Sequence, residues 1–343
     1  MKPSSFLLWG CLTFLAAAGG VALAERPRLC VLTDIGGDPD DRQSMIRLMV
    51  YSNEFDIEGL IASAAGTPGE LKKAIVRPDL IREIVNAYGK VRPRLNRHAE
   101  GWPEAAVLAA KIKSGNPHRG REFIGKDHDT EASRWLSERI DAGTPERPLN
   151  LSVWGGQTDL AQALWKIKTT RGAAGFSGFA KRFRVYDIAD QDGIADWMRV
   201  EFPGMFYILN KAHDARDRRE AIFRGMYLGG NEALTSEAWI ERNIRSKGHL
   251  GALYPIRTHT APNPHGCLKE GDTPSWFFFL PAGGNDPADP TKPGWGGQFQ
   301  KEPDGWYRDP PFGKEQDPRN SVSRWRPAFQ ADFAKRMDWC LQD

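Results

Sequence analysis

The chain has 343 residues, of which 27% are charged and 40% hydrophobic, and its formal net charge at pH 7 is +3. Because Lys and Arg are interspersed with Asp and Glu rather than clustered, the sequence indicates neither a nucleic acid nor an anionic membrane as partner. Length and composition instead predict one large globular domain.

The first residues have the pattern of a secretory signal peptide. Lys2 supplies a positive charge, an apolar run extends from Phe6 to Val21, and Ala22-Leu23-Ala24 resembles a cleavage site. The alternatives are acylation of Cys11 and a retained anchor, although the run is shorter than the ~20 residues of a spanning helix. We expect a signal peptide over 1–24, a secreted or periplasmic protein without a membrane anchor after cleavage, and a single domain over 25–343.

The first predicted elements form a βαβ unit. Residues 28–33, with the apolar run Leu29 to Leu32, are typical of a buried parallel strand, and residues 43–51 have apolar side chains at helical spacing. A second strand is predicted over 55–63, with a right-handed crossover between the two strands. Helical patterns follow at 70–88, 103–114 and 130–142.

The alternation of strands and helices continues along the chain. Residues 148–154 predict a strand that ends in Gly155-Gly156 and leads into a helix over 157–168. The remaining predicted elements are strands at 183–188, 205–209 and 276–280 and a last helix over 327–341. The pattern predicts an α/β fold with a doubly wound, mainly parallel sheet, and the Gly- and Pro-rich segment 281–318 predicts long C-terminal loops. Because three cysteines remain after signal cleavage, we expect no disulfide framework.

The loop after the first strand carries four acids within eight residues, Asp34, Asp38, Asp40 and Asp41. Ligands of open α/β sheets bind at the carboxyl ends of the strands. Four carboxylates repel one another there unless a cation offsets their charge, and oxygen ligands favour calcium or magnesium over zinc. The alternative is an Asp-rich turn in which Asp41 caps the next helix. The position of the loop favours a metal site.

At these residues the sequence resembles the nucleoside hydrolase superfamily, whose signature is an Asp, a Gly and an Asp-Asp pair after the first strand. It resembles more closely a secreted family named for nucleoside-hydrolase-like, cellulose-binding proteins. The stretches that carry this resemblance cover nearly the whole mature chain: 33–41 with Gln43-Ser44, 51–61, 154–156, 190–192, 269–275, 295–297 and 324–326. The resemblance implies a sheet of nucleoside hydrolase type.

The resemblance also implies one calcium ion per chain, which binds two ribose hydroxyls. Its ligands would be carboxylates of Asp34, Asp41 and Asp272 and the backbone carbonyl of Thr158. Asp34 would in addition act as the base that takes a proton from the attacking water. The acid loop is two residues longer than in the enzymes, so either Asp38 or Asp40 could be the first acid of the pair. We favour Asp40 as the catalytic residue and assign Asp38 to substrate binding.

Several positions depart from the enzymes. Residues 63–67 lack the Asn that enzymes place near the ribose, Leu32 replaces an Asp, and Gly271 stands where some relatives have a His that protonates the leaving group. Purine- or pyrimidine-specific catalysis is therefore in doubt. The further candidates for substrate binding are Gln191, Asp192, Glu270 and His98.

Two functions follow from this reading. The first is a calcium-dependent hydrolase of N-glycosyl or related glycosidic bonds. The second is a protein that binds carbohydrate, such as a cellulose-type glycan, on the same scaffold without turnover. In both cases the expected ligand is a small-molecule nucleoside or a glycan, and the oligomeric state is not predicted.

Overall fold

The computed structural model describes residues 25–213, 218–257, 265–313 and 316–341. The signal peptide predicted for residues 1–24 lies outside these ranges and stays a prediction. Within the described ranges, no helix has both the length and the apolar character needed to cross a membrane.

Eight strands form one sheet in the order β3-β2-β1-β4-β5-β6-β8-β7. All neighbouring pairs are parallel except β7 and β8. The strands are β1 Arg28–Thr33, β2 Asp56–Ala62, β3 Ile112–Ser114, β4 Leu149–Val153, β5 Phe183–Ile188, β6 Phe206–Asn210, β7 Gln300–Lys301 and β8 Tyr307–Arg308. The predicted doubly wound, mainly parallel α/β fold is confirmed.

Helices cover both faces of this sheet. The α-helices of the described chain are α1 Asp40–Met49, α2 Pro78–Leu95, α3 Ala105–Ala110, α4 Glu131–Asp141, α5 Gln157–Ala180, α6 Ala195–Glu201, α7 Glu237–Ile240, α8 Gly248–Gly251, α9 Thr273–Phe277, α10 Asn320–Ser323 and α11 Arg326–Asp338. Helix α5 is interrupted at Gly172, whose φ of 67° is left-handed, a conformation that glycine adopts without steric cost.

The alternation of side chains along β1 places it between two cores. Leu29 and Val31 pack with α1 and α2 in one core, whereas Cys30 and Leu32 pack with α4 and α5 in the other. All six residues of β1 are buried, as its continuous apolar run predicts for a central parallel strand. This burial fixes the position of the loop that leaves its carboxyl end.

Two predicted elements are wrong. Residues 276–280 belong to the end of helix α9 and the turn after it rather than to a strand, and Pro274 lies in the first turn of that helix, a position that suits proline. Residues 112–114, predicted as the end of a helix, form the edge strand β3 beside β2. The second correction moves the segment after residue 114 to the carboxyl edge of the sheet.

Two features of the described chain are structural. Arg326 of the Arg-Trp-Arg stretch is buried and donates hydrogen bonds to backbone carbonyls of residues 225, 226, 228 and 229. Cys30, Cys267 and Cys340 are buried and free.

Candidate functional site

The acid loop leaves β1 where the direction of winding of the sheet reverses. Strand β1 pairs with β2 on one side and with β4 on the other, and ligands of doubly wound folds bind in the crevice at such a point. Gly155 follows β4, and a Cβ at that position would lie only 2.8 Å from Cβ of Asp34. Glycine at this position therefore lets the two loops meet at the site.

The structure brings three acids from distant parts of the sequence together. Carboxylate oxygens of Asp40, Asp41 and Asp272 lie within 4.8 Å of one another. Asp34 adjoins them, and its charge acts on both Asp41 and Asp272. We call these four residues the acid cluster. Together with Asp38, Glu70 and Gln191, three of them (Asp34, Asp40 and Asp41) line a cleft of about 20 Å³, enough for one ion or water molecule.

Two oxygens of the acid cluster are buried without a hydrogen-bond partner in the described chain, Oδ2 of Asp34 and Oδ2 of Asp272. Burial, reinforced by the charge of Asp40, raises the pKa of Asp34 to about 7, although Arg119 opposes the shift. Burial and neighbouring carboxylates also raise the pKa values of Asp41 and Asp272 well above 3.8. Because unpartnered buried carboxylates are costly, this donor set fits a hard divalent cation.

Two basic residues contact the acids of the site, and neither was predicted from the sequence to have a role there. Nζ of Lys269 pairs with Asp38 and lies 3.4 Å from Oδ2 of Asp40. Burial alone would lower the pKa of Lys269, but the charges of Asp40 and Asp38 raise it above its usual value, so the side chain is charged. Arg119 lies 3.9 Å from Oδ2 of Asp34 and 3.7 Å from Oδ1 of Asp192.

The positions of Asp38 and Asp40 bear on which of them is the first acid of the pair. Asp38 is paired with Lys269, and it is Asp40 whose carboxylate groups with those of Asp41 and Asp272. The geometry therefore favours Asp40, although Lys269 contacts both side chains.

Helix α1 fixes the segment that carries Asp272. The side-chain amide of Gln43 donates to the carbonyls of Pro255 and Cys267, and its oxygen accepts from the amides of Lys269 and Glu270. One helical turn later, Nε of Arg47 pairs with Oε2 of Glu270 at 2.5 Å, and both side chains are fully buried. These contacts hold Asp272 against the acids at the start of α1.

Two residues predicted to bind substrate lie elsewhere. Glu270 is fully buried, and its carboxylate is occupied by Arg47 and Tyr254, so its position is structural. His98 follows the end of α2, which returns to the amino edge of the sheet, and it stacks on Trp339 with ring centroids 5.3 Å apart. The sequence signal for His98 was its residue type alone, which does not report position in the fold.

The other predicted residues lie at the carboxyl edge. Asp192 accepts hydrogen bonds from the backbone amide and the hydroxyl of Thr158, each at 2.7 Å, and its Oδ1 has no hydrogen-bond partner in the described chain. The side chain of Gln191 donates to the carbonyl of Trp154 and lines the cleft. Thr158, in the first turn of α5, is therefore oriented by the loop after β5.

Comparison with known proteins decides the family. The sequence matches the family described as cellulose-binding Sde182, nucleoside hydrolase-like domain, over residues 28–299. The chain belongs to this family.

A solved structure agrees with the Sde182 nucleoside hydrolase-like assignment. It is a nucleoside hydrolase-related hypothetical protein from Saccharophagus degradans that is described as associated with carbohydrate metabolism. Its TM-score is 0.74 at 31% sequence identity, and the match covers 93% of this chain and 72% of that one. The comparison with curated proteins gives no match.

Membership of the Sde182 nucleoside hydrolase-like family supports the fold and a link to carbohydrates. It leaves the choice between turnover and binding to the chemistry of the site, because one fold supports many functions.

Proposed function

We propose that this protein holds one calcium ion in its acid cluster and hydrolyses an N-glycosyl or related glycosidic bond of a sugar bound there. The observation that carries the proposal is a buried oxygen without a hydrogen-bond partner in the described chain on each of Asp34 and Asp272, beside a cleft the size of one ion that Asp34, Asp40 and Asp41 line. Carboxylate oxygens at this density favour calcium or magnesium. Lys269 and Arg119 offset only part of the negative charge of these acids.

The proposed ligands are the carboxylates of Asp34, Asp41 and Asp272, and Asp40 lies close enough to contribute. The backbone carbonyl of Thr158, which the resemblance implies as a ligand, lies in the first turn of α5, where carbonyls point along the helix and away from the acid cluster, so it is not included. A bound divalent cation would supply positive charge that lowers the pKa of water and orients sugar hydroxyls. Asp34 would accept the proton of the attacking water, because its carboxylate is buried at the cleft and one oxygen has no hydrogen-bond partner. Asp38, Gln191 and Asp192 would contact the sugar.

Binding without turnover is the second candidate, and the composition of the cleft supports it. In the described residues the chain has neither the Asn nor the leaving-group His of the enzymes at the matching positions, which are Ser63–Thr67 and Gly271. The tryptophans of the described chain are all buried or half-buried, and none of them lines the cleft. A binding function would therefore also depend on the cation site.

Release of sugar distinguishes the two candidates. We expect the calcium-loaded protein to release free sugar from at least one member of a panel of nucleosides and aryl glycosides, and a chelator to abolish the release. The Asp272→Ala variant serves as the matched control, since it removes one proposed ligand. Tight binding of panel members without release, under the same conditions, would favour the carbohydrate-binding alternative.

A further inference from the structure

A second cavity, of about 320 Å³, adjoins the cleft of the acid cluster. We call it the side pocket. Thr67 lines both cavities, and Arg119 in the wall of the side pocket reaches Asp34 in the cleft. Because the cleft has room for an ion but not for a sugar ring, a ligand bound to that ion must extend outwards. The side pocket is the adjoining space, and its volume falls in the range of small-molecule sites, about 300–1,000 Å³.

The charged side chains of the side pocket are all basic. Lys73 and Arg119 line it together with His118, and its lining, which consists only of described residues, includes no Asp or Glu. Lys73 is exposed and forms no ion pair with any described residue. The side pocket therefore has the opposite charge to the cleft beside it, so it favours an anionic group.

Arg119 is fixed in place before any ligand arrives. Its Nη2 donates hydrogen bonds to the backbone carbonyls of Ala64 and Gly66, while its Nη1 donates none within the described chain. A planar guanidinium held in this way loses little further freedom when it binds a carboxylate or phosphate.

Another side of the side pocket is aromatic and apolar. The ring of Phe123 stacks on His118 with centroids 4.7 Å apart and an interplanar angle of 15°. Ala64, Pro68 and Leu71 add apolar surface. A flat aromatic face next to the fixed guanidinium of Arg119 suits a sugar ring, whose C–H face is apolar, with a charged substituent at its edge.

We propose that the side pocket binds a glycosyl unit that carries an anionic substituent, either the carboxylate of a uronosyl residue or a phosphate, next to the sugar at the cation site. This inference rests on the proposed function, because the neighbouring sugar is placed by the cation. It narrows the substrate class to acidic glycosides or oligosaccharides.

Three disaccharides that differ only at C6 of the non-reducing unit test the proposal: cellobiose, its 6′-carboxylate and its 6′-phosphate. Affinities are measured by calorimetry on the calcium-loaded protein at one fixed free calcium concentration and at low salt. We expect the carboxylate, the phosphate or both to bind at least about fivefold more tightly than cellobiose, since one close charge pair in water contributes about that factor. Added salt should reduce this preference.

Two neighbouring lysines provide a matched pair of variants. Lys73→Gln should remove most of the preference for the anionic sugar over cellobiose, whereas Lys72→Gln, whose residue does not line the side pocket, should keep this preference. This pair also excludes binding of the carboxylate through calcium alone, which would not depend on Lys73. Equal affinities for all three sugars, no binding of any of them, or a preference that survives Lys73→Gln would overturn the proposal. A calcium titration of the same samples separates failure of this proposal from failure of the proposed function. Protein that does not bind calcium contradicts the proposed function, whereas protein that binds calcium but does not prefer the anionic sugars contradicts only the proposal for the side pocket.

Discussion

Replacing Asp34 by Asn should lower turnover by at least about 10²-fold, the usual contribution of a general base. The Asn side chain keeps a carbonyl oxygen for the cation but has no basic oxygen to accept the proton of water. Ligand affinity should change little, so the loss should appear in kcat rather than in KM. The measurement is the rate of sugar release from the best substrate of the panel.

Asp272→Ala is the contrasting variant for this experiment. It removes a proposed cation ligand that has no part in proton transfer, so calcium affinity and sugar affinity should fall together. If Asp34→Asn retains the turnover of the parent, Asp34 is not the base. If the parent itself shows no turnover and Asp34→Asn binds sugar equally well, the protein binds carbohydrate without hydrolysing it.

The stability gained from calcium should increase as pH rises from about 5 to 8. In the cation-free protein, burial raises the pKa of Asp34 to about 7 from its usual 3.8. Between these values the unfolded chain binds fewer protons than the folded one, so folding stability falls as pH rises. Each pKa unit of such a shift corresponds to about 1.4 kcal/mol. Calcium replaces the protons of the acid cluster, so the calcium-loaded protein should not lose folding stability in this way as pH rises.

Melting temperatures with chelator and with excess calcium, recorded across this pH range, provide the measurement. Asp187 and Asp309 are also buried with raised pKa values, but they lie outside the acid cluster, so they affect both series alike. The difference between the two series therefore reports on the cluster. A calcium effect that is equal at pH 5 and pH 8 would show that binding does not compete with protonation of these acids.

Continuous apolar runs predicted the central strands because such strands are buried on both faces. Strands β1 and β5 have the predicted bounds, 28–33 and 183–188. The run Trp276–Leu280 was misread because a fully buried helical segment shows no periodicity that separates it from a strand. Strand β3 has only three residues after a short helix, too few for an alternating pattern.

The candidate site was predictable where it follows local sequence and not where it depends on contacts between distant segments. The acids at 34–41 lie next to an unmistakable strand, so their position at the sheet edge could be expected. Arg119 could not be placed at the site from the sequence, because its loop follows the short strand β3, which no pattern predicts. Lys269 belongs to a stretch that carries the family resemblance, but its pairing with Asp38 joins residues 231 positions apart, which no periodicity reveals.

The most direct test of the account is a calorimetric titration of calcium into chelator-treated, dialysed protein at pH 7.5. The account predicts one binding site per chain, a rise in melting temperature on saturation, and marked loss of affinity in Asp272→Ala. Lys72→Gln, which changes a charge outside the cleft, should bind as the parent does. The absence of binding heat, together with a melting curve that is the same in chelator and in excess calcium, would contradict the cation site on which the proposed function depends.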